Sequence, residues 1–257
     1  MGILNVTPDS FADGGRYVGL AEAVQHGLEM VDEGADLLDI GGESTRPGAP
    51  PVEPQVEIDR VLPVVETLRH ETEKPISVDT RRAVVARAAL AAGANIINDI
   101  SGLADPGMAD VAAAADAGLV IMHSQGEPRT MQLDPQYDDV LTEICAHLRE
   151  RAAQARAAGV RDGRIVVDPG IGFGKTLAHN LTILRNLDRL CALGFPLLIG
   201  VSRKAFIGSL SGAPVENRLP GTLAALTLAI AAGARIVRVH DVAPAVQAAA
   251  VAEALRR

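Results

Sequence analysis

The chain has 257 residues, a formal net charge of −8, 48% hydrophobic and 22% charged residues, and no tryptophan. The acid excess argues against a phosphate backbone as partner, which needs a basic surface. No apolar run of about 18 residues is available to span a bilayer. A closed (β/α)8 barrel typically takes about 250 residues, so the length fits one such domain.

Cys145 and Cys191 fall in expected helices without a disulfide framework spacing, and the amino terminus shows no basic stretch followed by an apolar one. A reducing, cytoplasmic, soluble protein is the resulting expectation, with no membrane and no nucleic acid among its partners.

Taken in order, residues 3–6 read as a first strand, followed by a long loop to Tyr17 and a helix from about Leu20 to Glu33. Residues 37–40 make a second strand, which runs into a loop from Gly41 to Gly48. A helix from about Pro54 to Glu71 precedes strand three at 75–78. Arg81 to Ala92 is helical, with Gly93 as its C-cap. Strand four covers 95–97, and a helix covers about 108–115. Strand five covers 119–122, and the longest helix follows a polar loop at about 138–158. Strand six covers 164–167, followed by a helix from about Leu177 to Leu193. Strand seven is 195–199, and a helical stretch after it is interrupted near Gly212 and Pro214. A helix at 222–232, strand eight at 236–239 and a helix from 244 to 256 complete the chain.

The segment Arg164–Thr176 shows the repeated unit most clearly. A short β-branched run ends on Asp168, Pro169 stops the pairing, and Gly170, Gly172 and Gly174 free the loop before the next helix begins. About eight such strand–polar residue–loop–helix units, without a linker, imply parallel pairing and one closed (β/α)8 TIM barrel over residues 1–257. The first strand lacks the G-x-G-x-x-G turn of a dinucleotide fold.

Active sites of such barrels lie at the carboxyl ends of the strands. Read in order, these ends carry Asn5, Asp39, Asp79, Asn98, His123 and Asp168, then Lys204 past strand seven, then Arg238 and His240. Each has an individual structural explanation: Asp79 as a helix cap, Asp39 as a loop brace. Residues 172–176 look like the tail of a phosphate loop, but Pro169 stands where a Walker motif needs glycine, so Lys175 is expected to be a solvated loop lysine. His26, His70, His147 and His179 are scattered and form no metal cage, although a magnesium ion held mainly by substrate phosphates stays open. Phe11, Tyr17 and Phe173 fall in expected βα loops, with Phe206 just inside a helix, where flat rings would flank a flat substrate. Lys204 suits either a Schiff base or a hydrogen bond to a substrate carbonyl. Two carboxylates, an amide and a lysine suit the 2-amino-4-oxo edge of a pterin.

Residues 2–15 (GILNVTPDSFADGG) and 41–48 (GGESTRPG) resemble the two signature segments of the dihydropteroate synthase family. SVDT at 77–80, INDI at 97–100, DPGIGF at 168–173, SRK at 202–204 and RVHD at 238–241 match further family blocks in order. The resemblance implies a transferase of folate biosynthesis that condenses 6-hydroxymethyl-7,8-dihydropterin pyrophosphate with p-aminobenzoate, and a sulfonamide target. It implies that Asp79, Asn98, Asp168 and Lys204 bind the pterin, with Met122, Phe173 and Gly200 lining its pocket. Asn5, Arg238 and His240 would hold pyrophosphate, Asn5 also meeting magnesium. Phe11 and Asp13, with Thr45, Arg46 and Pro47, would close over the p-aminobenzoate. A homodimer is implied as well. Three departures from the pattern stand out: Ala205 and Ala12 where serine is usual, and Ser124 where methionine is usual. The family's upstream segment before strand one is also missing from this sequence. The alternatives are a pterin-dependent methyltransferase, which would need neither Arg46 nor the long first loop, and a catalytically silent pterin-binding paralogue.

Overall fold

The computed structural model describes residues 1–7, 16–44, 51–126 and 130–256, with backbone alone at 16–18. Strands and helices alternate along them: β1 (Gly2–Asn5), α1 (Arg16–Asp32), β2 (Leu38–Gly41), α2 (Pro54–Glu71), β3 (Ile76–Asp79), α3 (Ala83–Ala91), β4 (Ile96–Asp99), α4 (Met108–Ala114), β5 (Gly118–Met122) and α5 (Val140–Ala157). The second half continues with β6 (Ile165–Asp168), α6 (Leu177–Arg185), α7 (Leu187–Cys191), β7 (Leu198–Ile199), α8 (Ala205–Ser211), α9 (Leu219–Ala231), β8 (Ile236–Val237) and α10 (Val242–Leu255).

Strands β1 to β6 pair in sequence order, all parallel, and β7 pairs with β8 in parallel. Two bridges join these groups into a ring. Val167 pairs with Leu197 on one side, and Gly2 pairs with Val239 on the other. Ile3 N donates to Val239 O at 2.9 Å, and Val239 N to Met1 O at 3.0 Å. The result is the expected (β/α)8 barrel.

The strands are apolar on both faces because both are covered. Leu4, Ile40, Val78, Ile97, Ile121 and Val167 face outward and share one buried cluster with helical Val61, Leu68, Ile144 and Leu148. Inside the barrel, Met1, Leu37, Ile96, Val120, Val166, Leu198 and Ile236 form a separate apolar plug. Polar side chains replace this plug towards the carboxyl ends of the strands, so the interior is a packed floor beneath a polar mouth.

Several boundaries differ from the sequence reading for identifiable reasons. Helix α1 begins at Arg16, earlier than expected, and takes in Tyr17. Arg164 lies in a 3-10 turn rather than in strand six, and its guanidinium reaches Asp116 at 3.1 Å. The single helix expected over 177–193 is divided at Asn186, whose side-chain amide donates to Thr182 O at 2.8 Å and competes with helical continuation. Gly93 ends α3 at φ 108, as expected of a left-handed cap. His179 belongs to the capping box of α6: its Nδ1 accepts from Thr176 N while Thr176 Oγ1 accepts from His179 N.

Candidate active site

Strand register gathers the first group of polar ends. Asn5 is the direct partner of Gly41, Gly41 of Asp79, and Asp79 of Asn98. Residues two apart on a strand share a face, so Asp39 lies one layer below Gly41 inside the barrel. Gly41 leaves a gap between its neighbours: a Cβ there would sit 3.7 Å from Asp79 Cβ and 3.8 Å from Asn5 Oδ1. Further round, Met122 is the register partner of Asp168. Asp79, Asn98, Met122 and Asp168 are all buried.

Arg238, just past β8, reaches back across the mouth. Its Nε donates to Asp39 Oδ2 at 2.6 Å and its Nη2 to Asp79 Oδ2 at 2.9 Å. Asp39 Oδ2 also accepts from Asn98 Nδ2 at 3.0 Å, which fixes the orientation of that amide. Burial pushes the Asp79 carboxyl up to about 7, Arg238 opposes the shift, and Asp39 adds to it. Burial works against the Arg238 charge, but the carboxylates of Asp39 and Asp79 outweigh it and hold its pKa above the usual value. Asp79 Oδ1 and Asp39 Oδ1 are buried without a hydrogen-bond partner among the described residues. Such an oxygen is costly to leave unsatisfied, so Asp79 Oδ1 at the rim is an acceptor waiting for a donor.

The turn after β7 aims a second cation inward. Arg203 adopts φ 56, a left-handed conformation that a non-glycine residue keeps only when held. Asp241 holds its guanidinium through both carboxylate oxygens, and its own N–H donates to Thr222 Oγ1 at 2.9 Å. Lys204 Nζ thereby lies 4.7 Å from the centre of the Phe173 ring and donates to Ile171 O. Burial lowers the Lys204 pKa to about 8, while Asp168 and Asp79 both pull it upward, so both carboxylates share this mouth. Asp168 is raised by burial and held back chiefly by Lys204; its Oδ1 accepts from Gly170 N at 2.7 Å. A Cβ on Gly200 would come within 3.8 Å of Lys204 Nζ, so the glycine keeps space beside the amine. Ser202 Oγ lies 2.9 Å from His240 Nδ1 and accepts from His240 N at 3.2 Å, fixing that ring at the rim.

The barrel therefore brings together Asn5, Asp79, Asn98, Met122, Asp168, Phe173, Gly200, Lys204, Arg238 and His240. Phe11, Asp13, Thr45, Arg46 and Pro47, with Ala12, lie outside the described residues. Two alternatives fail. Asp79 does not cap α3, whose first amide, Ala83 N, donates to Asp105 Oδ2 at 2.8 Å. Asp39 braces no loop, because it is fully buried inside the barrel. Lys175 corrects the sequence reading outright: it is 3% exposed rather than solvated, with its Nζ 3.1 Å from His123 Nδ1. Asp39 and Ser202 act as supports, a role that their positions in the sequence do not disclose. Asp39 was legible as a strand-end acid, but its partners were not.

Residues 1–240 match the model of the pterin binding enzyme family. The chain is 46% identical over 254 residues to the dihydropteroate synthase of Escherichia coli (strain K12), covering 99% of this chain and 90% of that protein. The chain belongs to the pterin-binding enzymes, among the dihydropteroate synthases. Two solved structures of dihydropteroate synthase from Xanthomonas albilineans share the fold. One, with 4-aminobenzoic acid, has a TM-score of 0.93 at 50% identity, covering 99% of this chain and 92% of that one. The other, in complex with 7,8-dihydropteroate, has a TM-score of 0.90 at 47% identity and the same coverages.

Proposed function

We propose that this chain condenses 6-hydroxymethyl-7,8-dihydropterin pyrophosphate with p-aminobenzoate, releasing pyrophosphate and 7,8-dihydropteroate. The observation that carries the assignment is the convergence of Asp79, Asn98, Asp168 and Lys204 on one mouth, with Asp79 Oδ1 buried and unpartnered. A pterin edge supplies what these groups lack. Its ring N–H and amino N–H groups donate to the carboxylates, its carbonyl accepts from Lys204, and the Asn98 amide gives and takes one bond each. Met122 and Phe173 supply the apolar walls.

The exocyclic C–O bond breaks with its electron pair leaving on the pyrophosphate oxygen. Arg238 and His240 stand where they can take that anion. The acids around the ring favour the positive charge that develops on the dihydropterin. The p-aminobenzoate nitrogen then forms the new C–N bond and gives up a proton. No enzyme nucleophile is needed, so Lys204 serves as a donor rather than a Schiff-base amine. Orientation of the two reactants accounts for much of the rate. Phe11, Asp13, Thr45, Arg46 and Pro47 are assigned to closing the p-aminobenzoate side, and a sulfonamide would enter there as a mimic.

Magnesium fits this donor set in one way. No three His, Cys, Asp or Glu side chains among the described residues cluster as metal ligands. Asn5 Oδ1 faces the gap at Gly41, and one amide oxygen suffices when the diphosphate supplies the other ligands. Bound there, the ion would neutralise leaving-group charge.

No described helix is long and apolar enough to cross a membrane. A cytoplasmic setting is supported by two free cysteines. A homodimer is supported by exposed Leu228 on α9 and by Val251 and Leu255 on α10. The reaction is tested by following pyrophosphate release with both substrates and magnesium. Release that requires p-aminobenzoate and yields equimolar dihydropteroate is expected. Pterin binding without release would favour a silent paralogue, and methyl transfer to a corrinoid would favour the methyltransferase.

A further inference from the structure

Four successive carbonyls in the loop after β6 each accept a hydrogen bond from a different side chain. Lys204 donates to Ile171 O, Gln132 Nε2 to Gly172 O, Lys175 Nζ to Phe173 O at 2.9 Å, and Tyr137 Oη to Gly174 O at 2.8 Å. Asn180 Oδ1 also accepts from Gly172 N at 2.7 Å. Loop carbonyls are ordinarily left to water, so this loop is held in one shape from several directions.

Lys175 is the buried member of the row, and nothing in the condensation uses it. Burial lowers its pKa to about 7, with Asp168 opposing, and in its charged form its three protons meet three acceptors: Phe173 O, His123 O at 3.3 Å, and His123 Nδ1 at 3.1 Å. Burial, with the Lys175 charge adding to it, drives the His123 pKa down to about 2, so that ring is neutral and can accept at Nδ1. His123 directly follows Met122, whose main chain ends β5, and His123 N donates to Asp168 O at 2.9 Å. The two backbones are already in contact: a Cβ on Gly170 would lie 2.0 Å from His123 O. Lys175 is thus a bolt between the strand end carrying Met122 and the loop carrying Phe173.

We propose that Lys175 is a positioning residue for the reaction, tying the Phe173 carbonyl to His123 so that Met122 and Phe173 stand at the separation the bicyclic ring requires. Gln132 and Tyr137 support it from the adjacent carbonyls. The proposal rests on the reading of this mouth as a pterin site and adds to it the group that sets the pocket's width. It acts through Phe173 and touches no reacting atom.

The test compares Lys175→Met, Gln132→Ala and Tyr137→Phe with the unmodified protein. Readouts are the Kd for 6-hydroxymethyl-7,8-dihydropterin pyrophosphate, the KM for p-aminobenzoate at saturating pterin, and the melting temperature. Lys175→Met should raise the pterin Kd about tenfold or more, the scale of a charged hydrogen bond lost. The p-aminobenzoate KM should stay within about twofold. Gln132→Ala and Tyr137→Phe should each raise the pterin Kd about two- to fivefold, the scale of one neutral bond. If Lys175→Met does not fold, these two variants decide, because Gln132 is exposed and Tyr137→Phe removes only a hydroxyl. Folded variants with lowered melting temperatures but unchanged pterin Kd would overturn the proposal and leave a purely structural role. An unmodified protein that fails to bind the pterin would overturn the reading of the mouth itself, and this proposal with it.

Discussion

The six strands β1 to β6 and the two strands β7 and β8 build their shares of the mouth differently. The larger group forms an unbroken ladder of four- and five-residue strands and presents Asn5, Asp79, Asn98 and Asp168, with Asp39 beneath. The smaller group has two-residue strands and presents Lys204, Arg238 and His240. On the first side, main-chain pairing sets where each acid and amide stands. On the second, side-chain pairs do that work: Arg203 with Asp241, Ser202 with His240, Arg238 with Asp39 and Asp79. The ring-binding half is therefore built before any ligand arrives. On the smaller side Lys204 turns to the ring, while Arg238 at the anion end is already held by Asp39 and Asp79.

The sharpest way to break this contrast is Arg238→Met. Asp39 and Asp79 would then face each other buried without a cation, and leaving buried charges uncompensated typically costs about 3–5 kcal/mol. Urea unfolding should show that loss, and adding Asp79→Asn should recover part of it. Recovery of none would mean the two acids do not depend on Arg238. Asp39→Asn should be milder. It loosens both Asn98 and Arg238, so kcat/KM for the pterin substrate should fall about tenfold, the scale of one charged hydrogen bond, with an unaltered KM for p-aminobenzoate. An unchanged kcat/KM would remove Asp39 from the site.

The smallest effect is on pH dependence. His123 is lowered from 6.5 to about 2 by burial and by Lys175, so below pH 6.5 the unfolded chain takes a proton that the native ring refuses. Its contribution to stability is therefore lost as pH falls, by about 1.4 kcal/mol per pH unit at most. Asp79 works in the opposite sense. Raised by burial from 3.8 to about 7, it binds a proton more readily in the native state, so its contribution falls as pH rises through that window. From pH 7 to pH 5 the two nearly cancel, so on acidification stability should rise in His123→Gln, where Asp79 acts alone, and fall in Asp79→Asn, where His123 acts alone. Identical slopes in all three proteins would contradict both assignments.

Much of this was legible in the sequence, for a physical reason. Each unit repeats a buried strand, a polar residue and a loop, so the strand ends that carry chemistry could be read directly, from Asn5 to His240. What could not be read depended on contacts between distant units. Lys175 looks like any lysine after a glycine-rich loop, and only the return of His123 from the neighbouring strand end buries it. Asp39 looked like one acid among several, and its partners lie 59 and 199 residues away. The break at Asn186 was invisible because apolar periodicity continues across it, while the side chain's bond to Thr182 O interrupts the backbone.

The account stands most directly on Asp168→Asn, titrated calorimetrically with the pterin substrate and separately with pyrophosphate. The pterin should weaken at least about tenfold more than pyrophosphate, because the lost charge belongs to the ring-binding half and pairs with Lys204 rather than with the anion. Equal weakening of both ligands would show that the mouth is not divided in this way and would contradict the assignment of its two halves.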